Sequence, residues 1–596
     1  MKRSSTGRQP MLTGAAILMG AMLAVKAFGA LFRIPLSSDA LLGDGGMFYF
    51  SAAYDIFKPV YALAVSGLPV GVSRLVAQNM AQGRYKDVGR TRTVSSLLFL
   101  GAGGIGSVAM LLAAQPYAAL LESPALALSI ALLAPAPFFC CVAAALRGYY
   151  EGMGNMIPTA LCQIVEAVAK LLFGLGLAGL VRWVGLWQFS REGQVFGMAA
   201  GSREEALQIL LPFCAAAAVL GISLSSAAGA VYLLIRHKRA RGGLTPSQLS
   251  RAPAPEGRRR TAKRILSVAI PVSLAAATLN LSSLIDGVTV MRCLNRVAEE
   301  SYPRLLEGMP FLEAFPADQL PRQLYGLYTG KISAVYNLIP ALTTALGISA
   351  LPAVTEGWTK GDLGAVRERA GSILRVCLWL ALPCGGGLVA IPGGLLHLIY
   401  GSSAADSPLF PLSAQLLAFS AAGGVFLAIS APLNSIFQAL GRSDLPVKLM
   451  IGGALLKIAV NCLTVSHPAL HILGAPIGNA VCYGFISITG LFVLRRQIGL
   501  SLLPILWKPL LGGLGCGGGA FLSCYLAEYF LRPSLAALAG IAGGGGVFLL
   551  ILLLTGQLRE LFPPKGDAPH SGGKALKMPV FSGVFREKRK ENRKKT

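Results

Sequence analysis

Lys26 and Arg33 stand seven residues apart inside the apolar run 11–33, so on a helix they share one face. A cation inside a bilayer is costly unless that face meets water, an anion or a counter-charge. The chemistry on offer is therefore anion binding. Further cations occupy apolar surroundings at Lys58, Lys170, Lys331 and Lys457, and three carboxylates accompany them, Asp55, Glu166 and Asp286. Asp55 and Lys58, three residues apart, can pair on one helical face, and Glu166 precedes Lys170 by four, the favourable order for a same-helix pair. Lys457 has no acid within a turn of its own helix and is expected to be the freest cation. Asp286 reads as a ligand for a coupling cation or as an interface cap; Lys331 reads as a snorkelling residue or a cavity lining. These cations outnumber the acids and describe an anion-seeking lumen, which argues against an exporter of organic cations.

The elements that must position these groups are transmembrane helices. Of 596 residues, 54% are hydrophobic and 13% charged, and the mean hydropathy is +0.61. About fourteen apolar segments follow, near 11–34, 48–68, 94–113, 126–146, 157–181, 209–235, 265–291, 324–351, 371–399, 412–434, 446–465, 472–494, 503–526 and 534–556. The expected fold is an all-α polytopic membrane protein. The first run is too long for a signal-peptide core and lacks a small-residue cleavage pattern, so it stays as a helix. The net charge of +26 concentrates in loops of one side, with ten Lys and Arg at 236–264 and eleven from Arg559 onward. That asymmetry places both termini in the cytoplasm. It accounts for the basic linker and tail without nucleic acid, for which no stacking platform is present. The eleven cysteines lack metal-ligand spacing, and the string Gly513 to Gly518, which fits G-x-G-x-x-G, lies inside an apolar span and reads as helix-packing glycine.

An internal repeat organises the chain. Gly154-Asn155-Met156-Ile157-Pro158 with Lys170 beyond it is echoed 287 residues later by Gly441-Arg442-Ser443-Asp444-Leu445-Pro446 with Lys457. A second echo relates 72–84 to 348–361. Two parallel six-helix halves are expected, with substrate handled between them and both lysines near the bilayer centre. The domain reading is an N-terminal bundle at 1–235, a basic linker at 236–264, a C-terminal bundle at 265–494, two extra helices at 495–556 and a basic tail at 557–596.

GALFRIPL at 29–36, SGLPVGVSRLVAQ at 66–78, SLIDG at 283–287 and YNLIPALTTALGISALPA at 336–353 resemble the stage V sporulation protein B branch of bacterial polysaccharide flippases. That branch belongs to the multidrug and oligosaccharidyl-lipid exporter superfamily. The resemblance implies paired helix bundles that alternate access and move an undecaprenyl-pyrophosphate-linked sugar outward across the cytoplasmic membrane of a bacterium. It implies that basic residues of the first two helices meet the pyrophosphate, here Lys26 and Arg33, with Lys58 on the second. The expected partners are the lipid-linked glycan, membrane lipids and cell-wall synthesis enzymes, and the expected state is a monomer. No covalent chemistry and no cofactor are expected beyond a coupling cation, Na or H, at Asp55, Glu166 or Asp286. Replacing Lys26 or Lys457 by Ala is expected to abolish flipping with folding intact. The rival readings are a multidrug exporter of the same fold and a membrane-embedded glycosyltransferase, which would need placed carboxylates.

Overall fold

The computed structural model describes residues 11–239, 246–401, 407–442 and 444–557; the basic tail expected at 557–596 lies outside them apart from Gln557. The long apolar runs rich in Leu, Ala and Gly fold as helices because a bilayer leaves every backbone polar group to be satisfied inside its own segment. In chain order the first half holds α1 (Met11–Leu36), α2 (Gly43–Val65), α3 (Gly67–Ala81), α4 (Tyr85–Leu120), α5 (Leu126–Leu133), α6 (Ala136–Gly152), α7 (Ile157–Glu192) and α8 (Arg203–Arg239). A two-stranded hairpin, Gln194–Val195 with Met198–Ala199, joins α7 to α8. The short α9 (Pro246–Arg251) lies in the basic linker, before α10 (Arg258–Glu300) and α11 (Tyr302–Gly308). The second half continues with α12 (Leu320–Leu327), a π turn (Tyr328–Ile332), α13 (Ser333–Tyr336), α14 (Leu338–Thr359), α15 (Leu363–Ala390) and α16 (Pro392–Tyr400). It ends with α17 (Phe410–Ala439), α18 (Asp444–Val465), α19 (Gly474–Ile498), α20 (Leu503–Glu528) and α21 (Pro533–Leu554).

Among the described residues, eleven helical stretches are long and apolar enough to cross a membrane. The other three expected segments are helical as well: α1, the central part of α10, and the interrupted α12–α14. The outer surfaces of α7, α18 and α20 carry exposed Leu172, Trp183, Leu455, Leu463, Leu514 and Phe521, a pattern that requires lipid around it. The chain is a multi-pass membrane protein.

The turns carry the repeat. At Gly154 and Gly441 the backbone is left-handed, with φ of 75° and 73°, and the next N–H reaches back five residues, Asn155 to the Tyr150 carbonyl and Arg442 to the Phe437 carbonyl. This Schellman closure recurs at Gly83 and Gly361, so each glycine stops one helix where its counterpart does 287 or 278 residues away. Pro158 and Pro446 then sit in the first turns of α7 and α18.

Two expected helices are broken. The second segment divides at Ser66, beside Gly67 and Pro69, into α2 and α3, and the Gly67 N–H donates to Ser273 Oγ of α10 at 3.1 Å. The eighth is interrupted by the π turn, whose register shift frees carbonyls that another helix must satisfy. The 295–322 loop is largely helical, because α10 extends to Glu300 and α11 follows. Glycine 513 to 518 packs as expected: a Cβ on Gly386 of α15 would come within 2.5 Å of the Gly513 carbonyl of α20. On α21 the buried Gly540 and Gly544 pack against α20, and Ala537 packs on Gly394 of α16.

Candidate functional site

The cations divide into those with partners and those without. Lys457 is the largest correction. Expected to be the freest, its side chain has 0% exposure, and its ammonium donates to Asp286 Oδ2 and Ser282 Oγ at 2.7 Å and to Asn479 Oδ1 at 2.5 Å. Asn461 donates to Asp286 Oδ1 at 3.1 Å and to Thr289 Oγ1 at 3.0 Å, and the Asn479 amide donates to the Tyr328 hydroxyl. The acid absent from its own helix is supplied by α10. Ser282, Asp286 and Thr289 form one polar stripe at one-turn spacing, and Lys457 with Asn461 forms the matching stripe on α18. That spacing was the legible signal. Asp286 therefore stands in a charge pair, with both carboxylate oxygens engaged.

Glu166 and Lys170 do not pair. The Glu166 carboxylate accepts from Arg147 of α6 and from the Cys162 thiol. Lys170 turns its ammonium to rings instead, 4.7 Å from the Phe32 centroid and 5.5 Å from that of Tyr54. No carboxylate lies within ion-pair distance of Lys170 or Lys26 among the described residues; Lys26 is exposed, Lys170 half-buried. Phe32, whose ring Lys170 faces, immediately precedes Arg33 on α1. The freest buried cation is thus on α7, where α1 packs against it.

Arg33 closes a gap between the halves. Its guanidinium donates to the Gly330 carbonyl at 3.3 Å, to the Thr329 carbonyl and to Ser333 Oγ at 3.0 Å, taking up the acceptors freed by the π turn. Next to it, Lys331 is buried and bonds Asp44 at 3.0 Å, with Asp39 at 3.7 Å; it neither snorkels outward nor stands free. Asp55 holds Lys58 at 2.8 Å and accepts from the Tyr325 hydroxyl at 2.9 Å. Gly326 lies so close to α2 that a Cβ would fall 1.8 Å from the Asp44 carbonyl.

A second closure stands near the basic linker, where sequence reading saw nothing. A Cβ on Gly67 of α3 would fall 2.0 Å from the Ala269 carbonyl of α10. Glu256, just before α10, accepts from Arg84 at 3.3 Å and Arg264 at 3.2 Å, and its backbone N–H donates to Asp87 at 2.6 Å. Arg264 also donates to Gln78 at 3.0 Å. First-half and second-half helices therefore touch at both ends, along α2–α3 against α10 and α12.

No family model matches the chain. Over 493 residues it is 23% identical to stage V sporulation protein B of Bacillus subtilis (strain 168), a match spanning 81% of this chain and 82% of that protein. It is 21% identical over 503 residues to the lipid II flippase MurJ of the same organism, spanning 82% and 84%. Among solved structures, lipid II flippase MurJ in an inward closed conformation superposes with a TM-score of 0.59 at 12% identity, over 91% of this chain and 99% of that one. An inward-facing multidrug resistance MATE family transporter of the MOP superfamily gives 0.56 at 14% identity, over 81% and 98%. The chain has the fold of these transporters, and its resemblance to stage V sporulation protein B and MurJ extends over about four fifths of its length.

Proposed function

We propose that this homologue of flippases moves an undecaprenyl-pyrophosphate-linked sugar across the bacterial cytoplasmic membrane by alternating access, with both termini cytoplasmic. The observation that carries this reading is that Lys170 and Arg33, two cations at the contact of α7 with α1, are neither of them ion-paired to a carboxylate among the described residues. Such an arrangement is stabilised by a polyanion entering the site, and a pyrophosphate supplies that charge. Lys26, exposed on the same helix as Arg33, is the entry cation, and Lys58 adds a third charge once Asp55 releases it. Arg33 is held by neutral carbonyls, so an anion competes for it on favourable terms, and its departure loosens α1 from the π turn. Lys331 and Lys457 act in this scheme as paired cations: Lys331 with Asp44 joins the halves, and Lys457 with Asp286 ties α10 to α18. A coupling event at Asp286 must displace or neutralise that pair, as must one at Asp55 or Glu166. Two six-helix halves, 1–235 and 265–494, would rock about the contact of α2–α3 with α10 and α12.

The likeness to a multidrug resistance MATE transporter supports a second reading, export of organic cations. An experiment in proteoliposomes separates the two. The purified chain is expected to translocate lipid II or another undecaprenyl-linked glycan and to leave a cationic dye gradient undisturbed. Dye efflux without glycan translocation would overturn the proposal.

A further inference from the structure

A cavity of about 440 Å³ with a mixed lining opens beside Asp44, at the end of the molecule opposite the basic linker. Both halves of the chain build it. Asp39, the 42–45 turn and Arg182 form one wall, and Phe315, Gln323 and Ser407 to Leu409 form the other. Apart from Asp39 and Asp44, its lining residues take no part in the cation group of α1 and α7 or in the closures described above.

Its chemistry differs from that of the Lys170 site. Asp39 is 55% exposed at the side chain, and Asp44 lies buried on the floor against Lys331. Arg182 commits one N–H to the Leu41 carbonyl at 2.7 Å. The Gln323 side-chain amide makes no hydrogen bond within the protein among the described residues. It lies against Gly45, where a Cβ would come within 2.8 Å of its Nε2, so the glycine makes room for the amide. The lining thus combines acceptors and donors with one aromatic ring, Phe315, and leucines.

The lining carries both signs of charge, Asp39 and Asp44 with Arg182, and Asp44 is already paired with Lys331, so charge selects neither a pyrophosphate nor an organic cation. A sugar suits the set: its hydroxyls both donate and accept, and the C–H face of a pyranose packs on an aromatic ring. The volume falls in the range of small-ligand sites. We propose that this cavity is a saccharide subsite on the exit side, receiving the sugar head group as the closure at Arg33 and Lys331 opens. This rests on the flippase reading for its direction, although the binding chemistry stands by itself.

The test uses the full-length protein in detergent with N,N′-diacetylchitobiose as a lipid-free probe and inorganic pyrophosphate as the contrast, both followed by saturation-transfer NMR or calorimetry. Chitobiose is expected to bind the wild type, and Phe315→Leu or Gln323→Ala to weaken it at least about tenfold, the loss of one or two well-placed contacts. Pyrophosphate binding is expected to survive those changes and to fall in Lys170→Ala, which in turn keeps chitobiose binding. Circular dichroism and the unfolding midpoint establish that the variants are folded. The proposal is overturned if the wild type binds no chitobiose, if both cavity variants bind it as the wild type does, or if pyrophosphate displaces it. Wild-type protein that binds chitobiose through Phe315 and Gln323 but translocates no lipid-linked glycan leaves the subsite standing and removes the flippase reading.

Discussion

Lys170 lies against Phe32 and Tyr54, and a buried ammonium that relies on ring faces retains most of its demand for a counter-anion. Lys170→Ala is therefore expected to lower glycan translocation at least about tenfold, the scale of one lost charge-assisted contact of ~1.5–3 kcal/mol, without lowering the amount of folded protein. Lys170→Arg should restore part of it; translocation in proteoliposomes normalised to protein checks both. Lys457 belongs to the opposite class. Removing it strands Asp286 in a site where the lysine had no exposure, so Lys457→Ala should cost about 3–5 kcal/mol of stability. The expectation that its alanine variant folds normally is thereby revised. Lys457→Met combined with Asp286→Leu should recover most of the lost unfolding midpoint in a thermal assay, because it removes both charges at once. Since the ammonium already occupies Asp286 Oδ2 while Asn461 occupies Oδ1, we also expect translocation to proceed unchanged when Na⁺ is replaced by choline. A strict sodium requirement that Asp286→Asn abolishes would show that the pair opens to admit the ion.

Two glycines set how closely the elements of the two halves approach. Gly67 and Gly326 allow α3 to meet α10, and α12 to meet α2, at distances that no side chain tolerates. A Cβ 2.0 Å from the Ala269 carbonyl must move away by at least about 1 Å to reach ordinary contact. Gly67→Leu is expected to hold the end near the basic linker open, and Gly326→Leu the opposite end. Spin labels on α3 and α10, or on α2 and α12, should report a longer distance in one variant and not in the other. Equal distances in both variants and the wild type would show that these contacts do not set the closed state. The π turn is the companion device, since a regular helix at 328–332 would leave Arg33 fewer free carbonyls to hold.

At the level of the whole molecule, the closed contacts form a line, α2–α3 against α10 and α12, with a cation-rich site beside it and a mixed polar cavity at one end. In the proposed cycle such a line would serve as hinge and seal, one end opening while the other stays closed. The proposed orientation, with both termini cytoplasmic, rests on the charge asymmetry of the loops. We expect a membrane-impermeant maleimide applied to intact cells to label a cysteine placed at Ser202 and not one placed at Ser247 in the basic linker, in a background where the exposed Cys384 and Cys462 are replaced. Reversed labelling would invert the proposed direction of transport.

Composition and punctuation determined the architecture. A chain this apolar must form helices in a bilayer, and Gly154, Gly441, Gly83 and Gly361 stop those helices wherever a left-handed residue is needed, which makes the repeat readable without coordinates. The candidate cations were legible as residue types for the same reason, because a charge in an apolar run stands out. Their partners were not. Asp286 for Lys457, Arg147 for Glu166, Asp44 for Lys331 and the π-turn carbonyls for Arg33 all lie on other helices, and Asp286, Asp44 and the carbonyls are more than 150 residues distant in sequence. Spacing along one helix says which side chains share a face and nothing about which helix that face meets. Packing alone made Lys457 a locked ion pair and left Lys170, at the contact of α7 with α1, a cation without a carboxylate partner among the described residues.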